Sequence, residues 1–123
     1  MRIVYYSFTN NTKAFVEKYF EDYDPMSIEE GGANCPYLLI TPTYDFGQIP
    51  SVVEEWLDDN HQHMVGVVSN GNRNWGDMYA RAGDLISDSY NVPLILKIEL
   101  RGNEEDSKMI KEWIKEIEDE DYE

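Results

Sequence analysis

Four times along the chain, a short apolar run is followed by a stretch whose apolar residues recur at helical spacing. Ile3-Val4-Tyr5-Tyr6 precedes a segment with Phe15, Val16, Tyr19 and Phe20 on one face. Tyr37-Leu38-Leu39-Ile40 precedes 50–59, where Val52, Val53, Trp56 and Leu57 align. The run 64–69 precedes 77–90, with Met78, Ala82, Leu85, Ile86 and Ser89 aligned. The run 94–100 precedes 104–118, with Met109, Ile110, Trp113, Ile114 and Ile117 aligned and Asn103 placed to cap the helix. Runs of this length read as strands and the spaced stretches as amphipathic helices.

Repeated strand–helix units predict an α/β fold, a doubly wound parallel sheet with helices on both faces in three layers, α/β/α. The first three runs are apolar throughout, as central strands are. The last alternates, Leu94, Leu96, Ile98 and Leu100 against Lys97 and Glu99, which marks a half-exposed edge. Pro25-Met26-Ser27-Ile28 is a weaker candidate for the opposite edge. Residues 29–36 are too few for a crossover helix, so an extended link to Tyr37 is expected there.

A length of 123 residues suits one domain with one core. Residues 116–123 carry acids and no base, and are expected to fray. The net charge of −15 excludes nucleic acid and anionic membranes as partners and favours basic or neutral ones. The single Cys35 forms no internal disulfide and there is no CxxC, so a cytoplasmic location is expected. No signal peptide and no membrane span are read from the sequence.

Ligands of doubly wound sheets sit at the C-terminal strand ends, where the winding reverses. The loops to read are therefore 7–12, 41–50 and 70–77. Ser7-Phe8-Thr9-Asn10-Asn11-Thr12 sets hydroxyls and amides between a strand and a helix start, where unpaired N–H groups and the helix dipole favour an anion. The loop contains no Lys or Arg, and Lys13 just follows it, so a phosphate would be held by neutral donors. A capped turn without a ligand fits the same residues.

In Asn70-Gly71-Asn72-Arg73-Asn74-Trp75-Gly76-Asp77, the glycines permit positive φ or close backbone approach. Trp75 either stacks on a planar ligand or folds back onto the core. Arg73 is read as pointing to solvent and Asp77 as the helix cap. Thr43, Tyr44, Asp45, Phe46 and Gly47 either line a ring edge or cover the strand ends. His61 and His63 are read as solvated rather than metal-binding. There is no GxGxxG and no GxxxxGK[ST], which disfavours a dinucleotide site and an NTPase.

Ser7-x-Thr9-x-Asn11-Thr12 resembles the phosphate loop of flavodoxins, which bind FMN. Asn10 stands where that pattern carries glycine, and Asn tolerates a left-handed backbone better than most residues. The chain is shorter than usual flavodoxins and lacks one crossover helix. Several stretches resemble the NrdI family more closely: Phe46-Gly47-Gln48-Ile49-Pro50, Ser69 through Asp77, Arg81-Ala82-Gly83-Asp84, Asn91-Val92-Pro93 and Glu99-Leu100-x-Gly102. These are small, flavodoxin-like, FMN-binding proteins that serve class Ib ribonucleotide reductase. The resemblance runs from the first strand to the last helix and is most specific around Trp75.

It implies one FMN bound without a covalent link, no catalytic side chain and no metal. Ser7, Thr9, Asn11 and Thr12, in a loop completed by Phe8 and Asn10, would hold the phosphate. Thr43, Tyr44, Asp45, Phe46 and Gly47 would form a second wall, Gly47 near the flavin N5. Asn70, Gly71, Asn72, Asn74, Trp75, Gly76 and Asp77 would form the third, Trp75 stacked on the isoalloxazine. The implied activity is reduction of oxygen to superoxide for the dimanganese–tyrosyl radical site of the reductase's radical-bearing small subunit, with an unidentified reductant supplying electrons. The alternatives are a short flavodoxin that only carries electrons, and a binding module without flavin.

Overall fold

Alternation within the central strands decides which helices cover each side of the sheet. The computed structural model describes residues 1–44 and 47–120. Its strands are β1 (Arg2–Tyr5), β2 (Met26–Ser27), β3 (Tyr37–Pro42), β4 (Met64–Gly71) and β5 (Leu94–Glu99). The helices are α1 (Asn11–Tyr19), α2 (Ser51–Asn60), α3 (Arg81–Tyr90) and α4 (Glu104–Glu120). All strand pairs are parallel, in the order β2-β1-β3-β4-β5. This is the doubly wound, flavodoxin-like order.

Ile3, Leu38, Ile40, Val68 and Ile98 pack with Phe15, Val16, Ile110 and Ile114, which puts α1 and α4 on one side. Val4, Tyr37, Leu39 and Val67 pack with Val53, Leu57 and Ile86, which puts α2 and α3 on the other. Each fully buried aliphatic side chain contributes roughly 1.5–3 kcal/mol. Val52, Ser89 and Met109, aligned with the apolar faces in the sequence, are exposed.

The last helix starts as expected. Asn103 Oδ1 accepts from Asp106 N at 2.9 Å, and Asp106 Oδ2 accepts from Asn103 N at 3.0 Å. This reciprocal pair meets the helix's unpaired leading donors. α4 continues through Glu120, so the acidic end is helical that far; residues 121–123 lie outside the described ones.

The weak edge is a real strand, but only Val4↔Met26 and Tyr5↔Ser27 pair. Ile28 already belongs to a 3₁₀ turn (Ile28–Glu30). The link to β3 carries no α-helix, as its length required. The end of α2 secures this region instead. Trp56 Nε1 donates to Gly31 O at 2.8 Å, and Asn60 Oδ1 accepts from Ala33 N at 3.0 Å. Tyr37 Oη donates to Asn60 O at 2.7 Å.

Two expectations need correction. The register of β5 shifts opposite Val67 and Val68, which pair with Leu94 and Leu96 and pass over Ile95. That irregularity sends Leu94 to the α2/α3 side, while Leu96 and Ile98 face α1 and α4. Strict alternation from Leu94 to Leu100 therefore fails, and Leu100 lies beyond the strand with φ 52°. Secondly, α3 starts at Arg81, not at residue 77. Residues 73–78 form a 3₁₀ segment broken at Gly76 (φ 58°, ψ −123°), so Asp77 caps nothing. Ala80 occupies the cap position with φ 49° and no side-chain bond of its own. Thr43 Oγ1 and Ser69 Oγ, each 3.1 Å away, accept instead from Ala82 N and Gly83 N.

Burial holds the Tyr37 hydroxyl's pKa well above its ordinary value of 10.0, with a smaller contribution from Tyr90. Unfolded Tyr37 would lose its proton first as pH rises, so the native state binds more protons there and stability falls above about pH 10. Tyr37→Phe should flatten that fall and cost about 1 kcal/mol at neutral pH by removing the bond to Asn60. Urea midpoints between pH 8 and 11 check both; an unaltered alkaline slope refutes the assignment.

Candidate functional site

The chain leaves β1 toward β2 on one side and resumes at β3 on the other. Loops leaving β1 and β3 therefore diverge and open a crevice at the C-terminal strand ends. A cleft of about 280 Å³ lies there. Thr9, Asn11 and Thr12 form one wall, Pro42 and Thr43 the floor beside it. Asn70, Gly71, Asn72, Trp75, Met78 and Ala80 form the facing wall, with Leu100 at one end. Among the described residues, none that lines it is charged.

The wall after β1 is built around a left-handed residue. Asn10 takes φ 70° and ψ −3°, as expected of an asparagine standing in for glycine, and its side chain caps nothing. Ser7 Oγ accepts from Lys13 N at 3.1 Å, and Asn10 O accepts from Ala14 N at 3.0 Å. The N–H groups of Asn11 and Thr12, in the first turn of α1, have no intrahelical acceptor at this position. With the helix dipole they make a seat for an anion. The Lys13 ammonium sits 3.7 Å from Glu17, both largely exposed, and does not line the cleft. Neutral donors therefore fit a phosphate here.

The floor hangs on one buried amide. Asn70 is 3% exposed. Its Oδ1 accepts from Thr12 Oγ1 at 3.1 Å, and its Nδ2 donates to Leu100 O at 2.8 Å. Its backbone carbonyl accepts from Thr43 N at 3.0 Å. One residue thus joins the exits of β3, β4 and β5 to the start of α1, and it commits the Thr12 hydroxyl to the interior. At the next residue a Cβ would lie 2.4 Å from Ala80 N, so only glycine admits the backbone crossing at Gly71.

Beyond β3, Tyr44 and Gln48 exchange backbone hydrogen bonds at 2.8 Å in each direction. Gly47 is buried at φ 83°, and a Cβ there would meet Met78 Sδ at 3.0 Å and Arg81 Cβ at 3.1 Å. The tip between them, Asp45 and Phe46, lies outside the described residues. Tyr44 and Phe8, both exposed, meet edge to face at 5.1 Å outside the cleft.

Trp75 does not fold back onto the core. It is 48% exposed and lines the cleft. Its segment is shaped by Asn72, whose Oδ1 accepts from Asn74 N at 2.9 Å and whose carbonyl accepts from Trp75 N at 3.0 Å. Arg73 is 70% exposed, and its guanidinium lies 3.7 Å from Glu99 rather than free in solvent.

The structure thus brings Thr9, Asn11, Thr12, Thr43, Asn70, Gly71, Asn72 and Trp75 to one cleft. Ser7 and Asn10 shape it from behind, while Phe8, Tyr44, Gly47, Asn74, Gly76 and Asp77 stand outside its lining. Pro42 lies in the 41–50 loop read from the sequence, whereas Met78, Ala80 and Leu100 were missed. Met78 and Leu100 continue helix and strand patterns, and nothing local marks the backbone breaks beside them. His61, read as solvated, bonds Leu57 O through Nδ1 at 2.8 Å and stacks near Tyr90.

Asn70→Ala would strand the Thr12 hydroxyl and the Leu100 carbonyl. A loss of about 2–3 kcal/mol in folding stability is expected, measured by urea unfolding. A loss below about 0.5 kcal/mol would mean water replaces the amide and Asn70 is not the tie argued for.

Residues 3–112 match the model of a family described as NrdI Flavodoxin like. A protein named Protein NrdI, from Macrococcus caseolyticus (strain JCSC5402), is 45% identical over 118 residues, 95% of this chain and 91% of that protein. A solved short-chain flavodoxin associated with a non-canonical PDU bacterial microcompartment is similar at TM-score 0.70, with 19% identity and 90% of each chain covered. Oxidised flavodoxin 2 from Bacillus cereus is similar at TM-score 0.61, with 20% identity, 92% of this chain and 94% of that one covered. At such identities the two structures speak to the fold alone.

Proposed function

Because the chain belongs to the NrdI flavodoxin-like family, we propose that it binds one FMN in the cleft and reduces oxygen to superoxide for class Ib ribonucleotide reductase. One observation carries this reading. An uncharged anion seat at the start of α1 and the half-exposed ring of Trp75 line the same cleft.

The N–H groups of Asn11 and Thr12 and the Thr9 hydroxyl would hold the phosphate. Trp75 would cover a ring face, and backbone groups near Asn72 and Asn74 would meet the pyrimidine edge. Gly47, already at φ 83°, would let its peptide turn beside the flavin N5. Bound FMN supplies the electron transfer and, once reduced, the reaction with oxygen; the protein binds, orients and controls access. The radical-bearing small subunit, with its dimanganese site, would take up the oxidant, and a separate reductant would recharge the flavin. A net charge of −15 suits a basic docking face on either partner. Among the described residues no helix is long and apolar enough to cross a membrane. The proposed place of work is the cytoplasm.

Reconstitution followed by chromatography of the released cofactor should yield one FMN per chain; FAD, or no flavin, rejects the reading. Trp75→Ala should weaken FMN binding by about two- to tenfold and raise the fluorescence of the flavin that stays bound. Unchanged affinity and quenching would remove Trp75 from the site.

The reduced protein, exposed to oxygen, should generate superoxide detectable by dismutase-sensitive cytochrome c reduction. With the manganese-loaded small subunit it should produce a tyrosyl radical visible by electron paramagnetic resonance. Electron delivery to an acceptor without superoxide or radical would make it a plain electron carrier.

A further inference from the structure

Residues 73–77, the segment that carries Trp75, are all exposed. Several of its own bonds are local. Asn72 accepts from Asn74 and Trp75, and Gly76 O accepts from Tyr79 N at 2.9 Å. Local bonds shape the segment without attaching it to the sheet.

Two polar side chains of the edge strand do attach it. Glu99 Oε2 accepts from Arg73 N at 3.2 Å, and Glu99 Oε1 lies 3.7 Å from Arg73 Nε. Lys97 Nζ donates to Tyr79 O at 3.3 Å and to Asp84 Oδ2 at 2.6 Å, which roots it on α3. Lys97 and Glu99 are two residues apart, hence on one face of β5. Arg73 and Tyr79 begin and follow the Trp75 segment. The two ends also touch each other, the Arg73 guanidinium lying 5.7 Å from the centre of the Tyr79 ring.

We propose that Glu99 and Lys97 form a two-point clasp that holds both ends of the Trp75 segment and so sets the stance of its ring over the cleft. They are positioning residues and line no part of the cleft themselves. The clasp's effect on flavin rests on the FMN reading above; the clasp itself does not. It also gives the polar face of β5 a task, since an edge strand with free choice of outward residues needs neither a Lys nor a Glu at these registers.

The test uses the full chain with and without FMN and three variants. Glu99→Ala removes both contacts to Arg73, Glu99→Gln keeps an acceptor for the Arg73 N–H, and Lys97→Met keeps the aliphatic stem. Amide hydrogen exchange is read over 72–79 in the flavin-free protein. Glu99→Ala should speed exchange there by about five- to tenfold, the equivalent of one ordinary hydrogen bond, with the rest of the sheet unchanged. Glu99→Gln should recover most of the protection, and Lys97→Met should speed exchange at Tyr79 and Ala80. With FMN present, Glu99→Ala should bind several-fold more weakly and leave the bound flavin more fluorescent. Unchanged exchange in both Glu99→Ala and Lys97→Met overturns the clasp, as does faster exchange spread evenly over the molecule. Weaker FMN binding without faster exchange overturns it too. If the unaltered protein takes up no FMN, the flavin reading falls, and the exchange data still decide the clasp.

Discussion

A primary amide buried at the ends of three strands has to find partners or the fold loses stability there. Asn70 finds them on elements that are far apart in sequence: the Thr12 hydroxyl on α1 and the Leu100 carbonyl after β5. Its backbone adds Thr43 after β3. The cleft exists because these exits are pinned at fixed separations. Removing the side chain leaves the strands their packing and takes away their common reference point. An apolar residue of similar size would restore neither bond and would leave the buried Thr12 hydroxyl unpaired.

The same economy of polar groups explains why the described lining of the cleft carries no charge. Three cations near it are engaged with acids, Lys13 with Glu17, Arg73 with Glu99 and Lys97 with Asp84. The anion seat is made from main chain turned by Asn10. Such a seat keeps its electrostatics across the whole pH range in which the fold survives, since nothing in it titrates.

The layers and the two edge strands could be read from the chain because they rest on local periodicity. Ile3, Val4 and the run from Tyr37 to Ile40 are apolar on both faces, which only a central strand requires. Asn10 was readable for a similar reason, as one residue type suited to one backbone conformation. What escaped depends on contacts between distant residues. The start of α3 was misplaced because its donors are met by Thr43 and Ser69 and not by a neighbour. The irregularity in β5 comes from its register against β4 and shows in the sequence only as Ile95, an apolar residue where alternation calls for a polar one. Leu100 and Ala80 take positive φ without being Gly or Asn, and a propensity argument assigns them elsewhere.

The remote capping of α3 also orders events in time. A helix needs its first turn before it can propagate, and that turn is the costly one. Here the acceptors for that turn lie 39 and 14 residues upstream, just past β3 and on β4, which must already stand side by side. The nascent helix has no start signal of its own, so its leading turn waits on the pairing of β3 with β4. The Trp75 side of the cleft thus leans on the sheet's centre, and damage there would reach the site through the start of α3.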